Sequence, residues 1–163
     1  MKNFGFTLVE TMVSLFVLSI AIAATFAIIT FHLSNAQFIK NSFIASGLAQ
    51  EGAEIVRNLR DTDWFAGRDF GSLGSPSTIE ETYCVQWDSL ALISSCANPL
   101  KKDADNFYSY DAGQDTIFSR TVTIVKVTDA ELKITVEVTW PDRGGTKKIT
   151  AEEHLFDWYS NEI

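Results

Sequence analysis

The sequence predicts an α+β protein: a long N-terminal helix, apolar in its first half and amphipathic in its second, packed on a small antiparallel β-sheet head. Three observations predict it. From Thr11 to Ile39 there is no Asp, Glu, Lys or Arg. From Ala45 to Leu59 apolar side chains recur at three- and four-residue steps, the period of a helix with one buried face. Beyond Arg120 the chain turns to β-branched runs with partial two-residue alternation, the period of half-buried strands.

Composition limits the alternatives. A chain of 163 residues with 46% hydrophobic and 21% charged residues is not of the disordered class, and its length suits one compact domain with an appendage. Before Lys40 the only formally charged side chains are Lys2 and Glu10. A net charge of -8, with basic clusters no longer than Lys101-Lys102 and Lys147-Lys148, argues against general nucleic-acid binding, which needs a basic stripe. Two cysteines and two distant histidines do not supply the four ligands of a structural zinc site, and no cofactor is implied. Cys84 and Cys96 read as one disulfide closing a short loop on the exported side, with two buried thiols as the alternative.

The first element is the apolar helix. Thr11–Phe31 carries no charge, and at ~1.5 Å per residue it spans about 30 Å, the hydrocarbon thickness of a bilayer. Lys2 and the terminal amine favour a cytoplasmic start and an exported body. A removable secretory signal would fit Lys2 and the Ala21-Ile22-Ala23 triplet, but the apolar run continues past that triplet. A plain single-span anchor fits the length and leaves Glu10 unexplained. A carboxylate at the start of an apolar helix is expensive and usually marks a function, unless it sits at the interface and reaches water.

A third reading accounts for Glu10 and its neighbours together. Gly5-Phe6-Thr7-Leu8-Val9-Glu10 resembles the signal of type IV prepilins and type II secretion pseudopilins. The likeness is specific over the leader and stem, and only architectural past about residue 60. It implies a leader of residues 1–5, cut between Gly5 and Phe6 by a membrane prepilin peptidase, with Phe6 then N-methylated. It implies that Glu10 is the stem acid of assembly, pairing with the terminal amine of a neighbouring subunit; pairing within one chain is also open, because Phe6 and Glu10 are four apart. The partners it implies are other pilin or pseudopilin subunits, the peptidase, an inner-membrane assembly platform and the membrane itself. The product is a structural, non-enzymatic subunit of an extracellular or periplasmic filament. The alternative from another class is a single-pass, membrane-tethered extracytoplasmic domain that binds or catalyses and never polymerises.

The residue types suit those roles. Gly5, lacking a Cβ, lets an extended backbone lie close inside a protease cleft. The apolar stretch begins at once, so the cut removes Lys2 and keeps the anchor. The new amine of Phe6 would then be a charge in an apolar setting, costly unless paired. One departure stands out: many pilin stems bend at a membrane proline, and Ala24-Thr25-Phe26-Ala27-Ile28 contains none.

The helix is expected over residues 6–60, including a transmembrane segment at 11–31, with a head at 61–163. Unbroken from Phe6 to Arg60 it would be ~80 Å long, too long for a head of this size to enclose. Glu54 and Arg57 are spaced for a surface ion pair. Asp61 to Pro76 is a Gly-rich connecting loop without phosphate-loop spacing, seated by Trp64 and Phe65. Thr121–Val127, Leu132–Trp140 and Lys147–Phe156 form an antiparallel meander, turning at Thr128–Glu131 and Pro141–Gly145, and Thr82–Trp87 offers a fourth strand.

Nothing in the head assembles a catalytic motif. No Gly-x-Ser-x-Gly elbow occurs, and His154 follows Glu152 and Glu153 without the second histidine of a zinc protease helix. Asp103, Asp105, Asn106, Asp111 and Asp115 crowd one loop but lack the glycine and closing glutamate of a hand-type calcium loop, which favours a solvated acidic loop. Phe107, Tyr108, Tyr110 and Phe118 around it are read as packing or neighbour contacts.

Overall fold

The computed structural model describes residues 5, 7–73, 81–94 and 99–158. Its architecture is the α+β arrangement expected: one long helix packed against antiparallel sheets. Helix α1 spans Leu8–Phe65. Among the described residues seven strands follow: β1 (Glu81–Tyr83), β2 (Lys101–Lys102), β3 (Tyr108–Ser109), β4 (Gln114–Asp115), β5 (Ser119–Thr128), β6 (Glu131–Asp142) and β7 (Gly145–Phe156). The chain divides into two compact units, residues 1–40 and Asn41–Ile163.

In the first unit α1 begins on a capped turn. Thr7 lies just outside the helix, its hydroxyl accepts the Glu10 amide at 3.3 Å, and its carbonyl accepts the Thr11 amide at 3.2 Å. That is the N-cap arrangement, and Thr7-x-x-Glu10 is the capping-box pattern. From Leu8 through His32 every residue is exposed, and the segment is long and apolar enough to cross a membrane. Its hydroxyls do not spoil it. Thr11, Ser14, Ser19, Thr25 and Thr30 each donate to a carbonyl three or four residues back, at 2.7–3.0 Å. No hydroxyl hydrogen in that stretch is left unpaired in lipid.

In the second unit the later half of α1 covers a four-stranded antiparallel sheet of order β1-β5-β6-β7. The helix contributes Ala45, Leu48, Ala49, Gly52, Ala53, Val56 and Leu59. Alternation on the strands supplies the opposing layer: Val122 and Ile124 from β5, and Leu132, Ile134, Val136, Val138 and Trp140 from β6. Small residues at 45, 49, 52 and 53 let helix and sheet approach closely. A Cβ on Gly52 would stand 2.8 Å from a methyl of Val136.

The meander turns at two-residue connections. Asp129–Ala130 joins Thr128 to Glu131, with a register shift between Lys126 and Thr128 that accommodates one extra residue, Val127. Arg143–Gly144 joins β6 to β7, so Pro141 and Asp142 belong to the strand rather than to the turn. Gly144 supplies a φ of 90° there. The fourth strand is shorter than the Thr82–Trp87 run: β1 pairs only Glu81–Tyr83 with β5. The outer face of the sheet is polar, with ion pairs Glu137–Lys148 and Lys133–Glu152 and a hydrogen bond between Glu131 and His154.

Two further features differ from expectation. Helix α1 continues to Phe65, five residues past Arg60, because Asp63 is buried and organises the exit: its carboxylate accepts from Arg68 Nε at 2.7 Å and from the Ser72 hydroxyl at 3.0 Å. The acidic loop also carries a three-stranded sheet of order β3-β2-β4. Strands of two residues are too short to show alternation. Gly113, at φ 132° and with a Cβ position 2.5 Å from the Lys102 carbonyl, permits its tight packing.

Candidate functional site: the N-terminal segment and the head

Gly5 lies in exposed, non-helical backbone, and a Cβ added to it would meet nothing within 4 Å. The fold therefore places no demand on a glycine at this position. Phe6, expected as the new terminus and methylation site, lies outside the described residues. Glu10 is the acid of the first helical turn, exposed, and stands where a carboxylate complements the positive end of the helix dipole. Thr7 and Glu10 are thus brought into one capped turn, directly followed by the membrane-length stretch.

The head assembles other polar groups. Arg120 is fully buried under α1: it donates to the Leu48 carbonyl at 3.0 Å and the Val85 carbonyl at 2.6 Å, and Glu51 lies 3.2 Å away. The Tyr110 hydroxyl donates to the Arg120 carbonyl at 2.8 Å; burial pushes its pKa up, opposed by the nearby guanidinium. Arg57 bridges Glu54 on the helix and Glu153 on β7, with Nε 3.0 Å from the latter. The hydrogen bond to Glu153 holds its pKa above the ordinary value. Arg120 and Arg57 each tie α1 to the sheet beneath it.

The acidic loop is spent on its own geometry. Asp103 accepts the Phe107 amide at 2.9 Å, Asp111 accepts Gln86 Nε2 at 2.7 Å, and Asn106 occupies a left-handed φ of 72°. Among the described residues no group of three or more His, Cys, Asp or Glu side chains could hold a metal ion. Tyr110 and Phe118 are buried, whereas Phe107 stacks on Trp87 at 5.0 Å with both half-exposed. Trp64 anchors the loop after α1 by stacking on Phe70, edge-to-face on Trp158, and beneath Arg60 at 4.5 Å. Phe65 does not share that role: it is 95% exposed, because it falls on the solvent side of the last helical turn. Cys84 is fully buried, and its expected partner Cys96 lies outside the described residues.

Among the described residues one apolar helix is of membrane length, opened by a capped turn bearing the segment's lone acid, and it fits a membrane-anchored single-pass protein. Residues 1–26 match the family model of the prokaryotic N-terminal methylation motif, so the chain carries the type IV prepilin-type signal. No curated protein and no solved structure matches the chain.

Proposed function

We propose that the chain is a structural subunit of a type IV pilus or pseudopilus-like filament. In this reading prepilin peptidase cuts between Gly5 and Phe6, and Phe6 is N-methylated. The head lies outside the cytoplasm, closed by a Cys84–Cys96 disulfide, until an inner-membrane platform draws the stem into a filament. The observation that carries the reading is the prepilin-type signal at residues 1–26 with Glu10 inside it. The cut would leave a cationic amine two residues before the helix, at the end where the dipole is already positive. Glu10 is the sole carboxylate before Lys40, so it is the group that can offset that amine, in its own chain or in a neighbour. Such a pair would set axial register more than it adds net stability. In the filament, packing against like helices replaces lipid around the exposed stem.

Two measurements test this. Mass spectrometry of the mature protein should find a methylated Phe6 at the N-terminus; Met1 or Ala24 there would sink the reading. Glu10→Ala should leave cleavage largely intact and abolish incorporation into filaments. A tethered, non-polymerising domain would show no difference between parent and variant.

A further inference from the structure

Strand β7 ends the order β1-β5-β6-β7, and among the described residues no strand pairs with its outer edge. It is long, Gly145–Phe156, and its register with β6 has no shift. The Arg143–Gly144 turn closes on Asp142 opposite Gly145, the hydrogen-bonded pair of a two-residue hairpin. Alternation then turns the backbone amides and carbonyls of Thr146, Lys148, Thr150, Glu152 and His154 towards the outer edge. Such a row is a template for another strand, and proteins usually blunt it with charge.

Here the charges are ordered. Lys147 and Lys148 stand at one end of β7, and Glu152 and Glu153 at the other, symmetric about Thr150. We propose that the outer edge of β7 docks a second copy of this chain, antiparallel, about a two-fold axis at Thr150. That register sets Lys148 against Glu152 of the second copy on the outer face, and Lys147 against Glu153 on the helix-side face. Ile149 meets Ala151, the two residues flanking Thr150 that are partly buried against the core. Existing ion pairs extend across the seam. Glu137 and Lys148 of one copy meet Glu152 and Lys133 of the other, an alternating row of four charges. Centring the pairing on residue 148 or 152 sets Lys against Lys or Glu against Glu; centring it on 149 or 151 matches no Lys with a Glu. Parallel pairing in register sets like against like throughout. The charges that would ordinarily block the edge therefore select one self-complementary register.

A single strand edge buries little area, below about 1,200 Å² and at the weak end of interfaces. A two-fold normal to the sheet also reverses the part of α1 that covers it, so the pairing joins two heads in opposite orientation. It is favoured by high protein concentration rather than by a shared membrane. The pairing does not rest on the filament reading, because it needs only two heads edge to edge.

The test is oxidative cross-linking of the concentrated full chain in detergent micelles, where two chains can meet in either orientation. Thr150→Cys places its own counterpart about 5.5 Å away between Cα atoms, and should form a disulfide-linked dimer. Thr146→Cys lies eight residues from its own counterpart, roughly 27 Å, and should stay monomeric. Lys148→Glu added to Thr150→Cys should abolish the dimer. The double exchange of Lys148 with Glu152 and of Glu137 with Lys133, which keeps each chain's own ion pairs, should restore it, which misfolding would not. Glu10→Ala should leave the cross-link unchanged, separating this contact from filament assembly. A Thr150→Cys chain that does not cross-link, equal cross-linking at 146 and 150, or no restoration by the double exchange would overturn the proposal.

Discussion

At the scale of single residues, Arg120 and Gly52 hold the head together from opposite sides of one contact. Arg120 reaches up from β5 to the Leu48 carbonyl, and Gly52, one turn along the helix, lies close enough that an added Cβ would stand 3.2 Å from Arg120 Cδ. Arg120→Ala removes two charge-assisted hydrogen bonds and leaves a void. It should lower head stability by about 3 kcal/mol in urea unfolding followed by tryptophan fluorescence. Glu51 is about one-third exposed, so screening limits its share of that loss. Arg120→Lys should recover little, because an ammonium cannot span the two carbonyls as a fork does. The glycines give a paired expectation. Gly52→Ala forces a methyl against Val136 and should cost about 1–3 kcal/mol. Gly47 sits mid-helix with nothing within 4 Å of a Cβ, so Gly47→Ala should stabilise by about 0.5–1 kcal/mol in the same assay. Arg120 was within reach of the sequence, two residues before Val122 on the same face, but a strand begun at Thr121 excludes it. An arginine at a strand's inward register reads as the strand's end unless acceptors from distant segments, here Leu48 and Val85, are known.

At the scale of elements, what was legible is what repeats. The apolar face from Ala45 to Leu59 and the alternation in β5 and β6 each span several periods, and the structure buries them as the pattern requires. Strands β2, β3 and β4 have no period to read, and their pairing is set by contacts with Leu100, Phe118 and Asp111 rather than by local propensity. The end of α1 lies beyond Arg60 for a related reason. Asp63 reads as the start of a polar loop, yet its partners Arg68 and Ser72 lie beyond it and fold back. The proposed Cys84–Cys96 disulfide belongs to this scale too, since it would tie Cys84, just after β1, to a cysteine further along the connection to β2. Closing so short a loop is worth about 3 kcal/mol in the chain-entropy account. Treatment with a reductant should lower the melting temperature of the head while leaving the chain folded at room temperature. A melting curve unmoved by reductant, with two alkylatable thiols after unfolding without reductant, would replace the disulfide by the two buried thiols.

At the scale of the whole molecule, the two compact units answer to different solvents. In the second, stability comes from burial between helix and sheet, with Val56, Val122, Ile134 and Val136 fully enclosed. In the first, residues 8–32 are all exposed, and the helix draws on lipid or neighbouring stems for its burial. Its backbone and hydroxyls are satisfied within the helix itself, so it needs nothing from the head to persist in an apolar medium. Unfolding in detergent micelles should therefore occur in two steps rather than one. On heating, near-ultraviolet circular dichroism from the buried Trp140 and its neighbour Phe118 should vanish in a single cooperative transition. Far-ultraviolet helix signal should fall only in part at that transition, the remainder coming from the micelle-held stem. Replacing Ala21 by Arg, a charge at the middle of the apolar stretch, should reduce that residual signal and weaken membrane retention in alkaline carbonate, with the head's melting temperature unchanged. A single transition in which both signals disappear together would show that the stem's helix depends on the head after all, and that the capped turn at Thr7 and the internally bonded hydroxyls do not suffice to hold it.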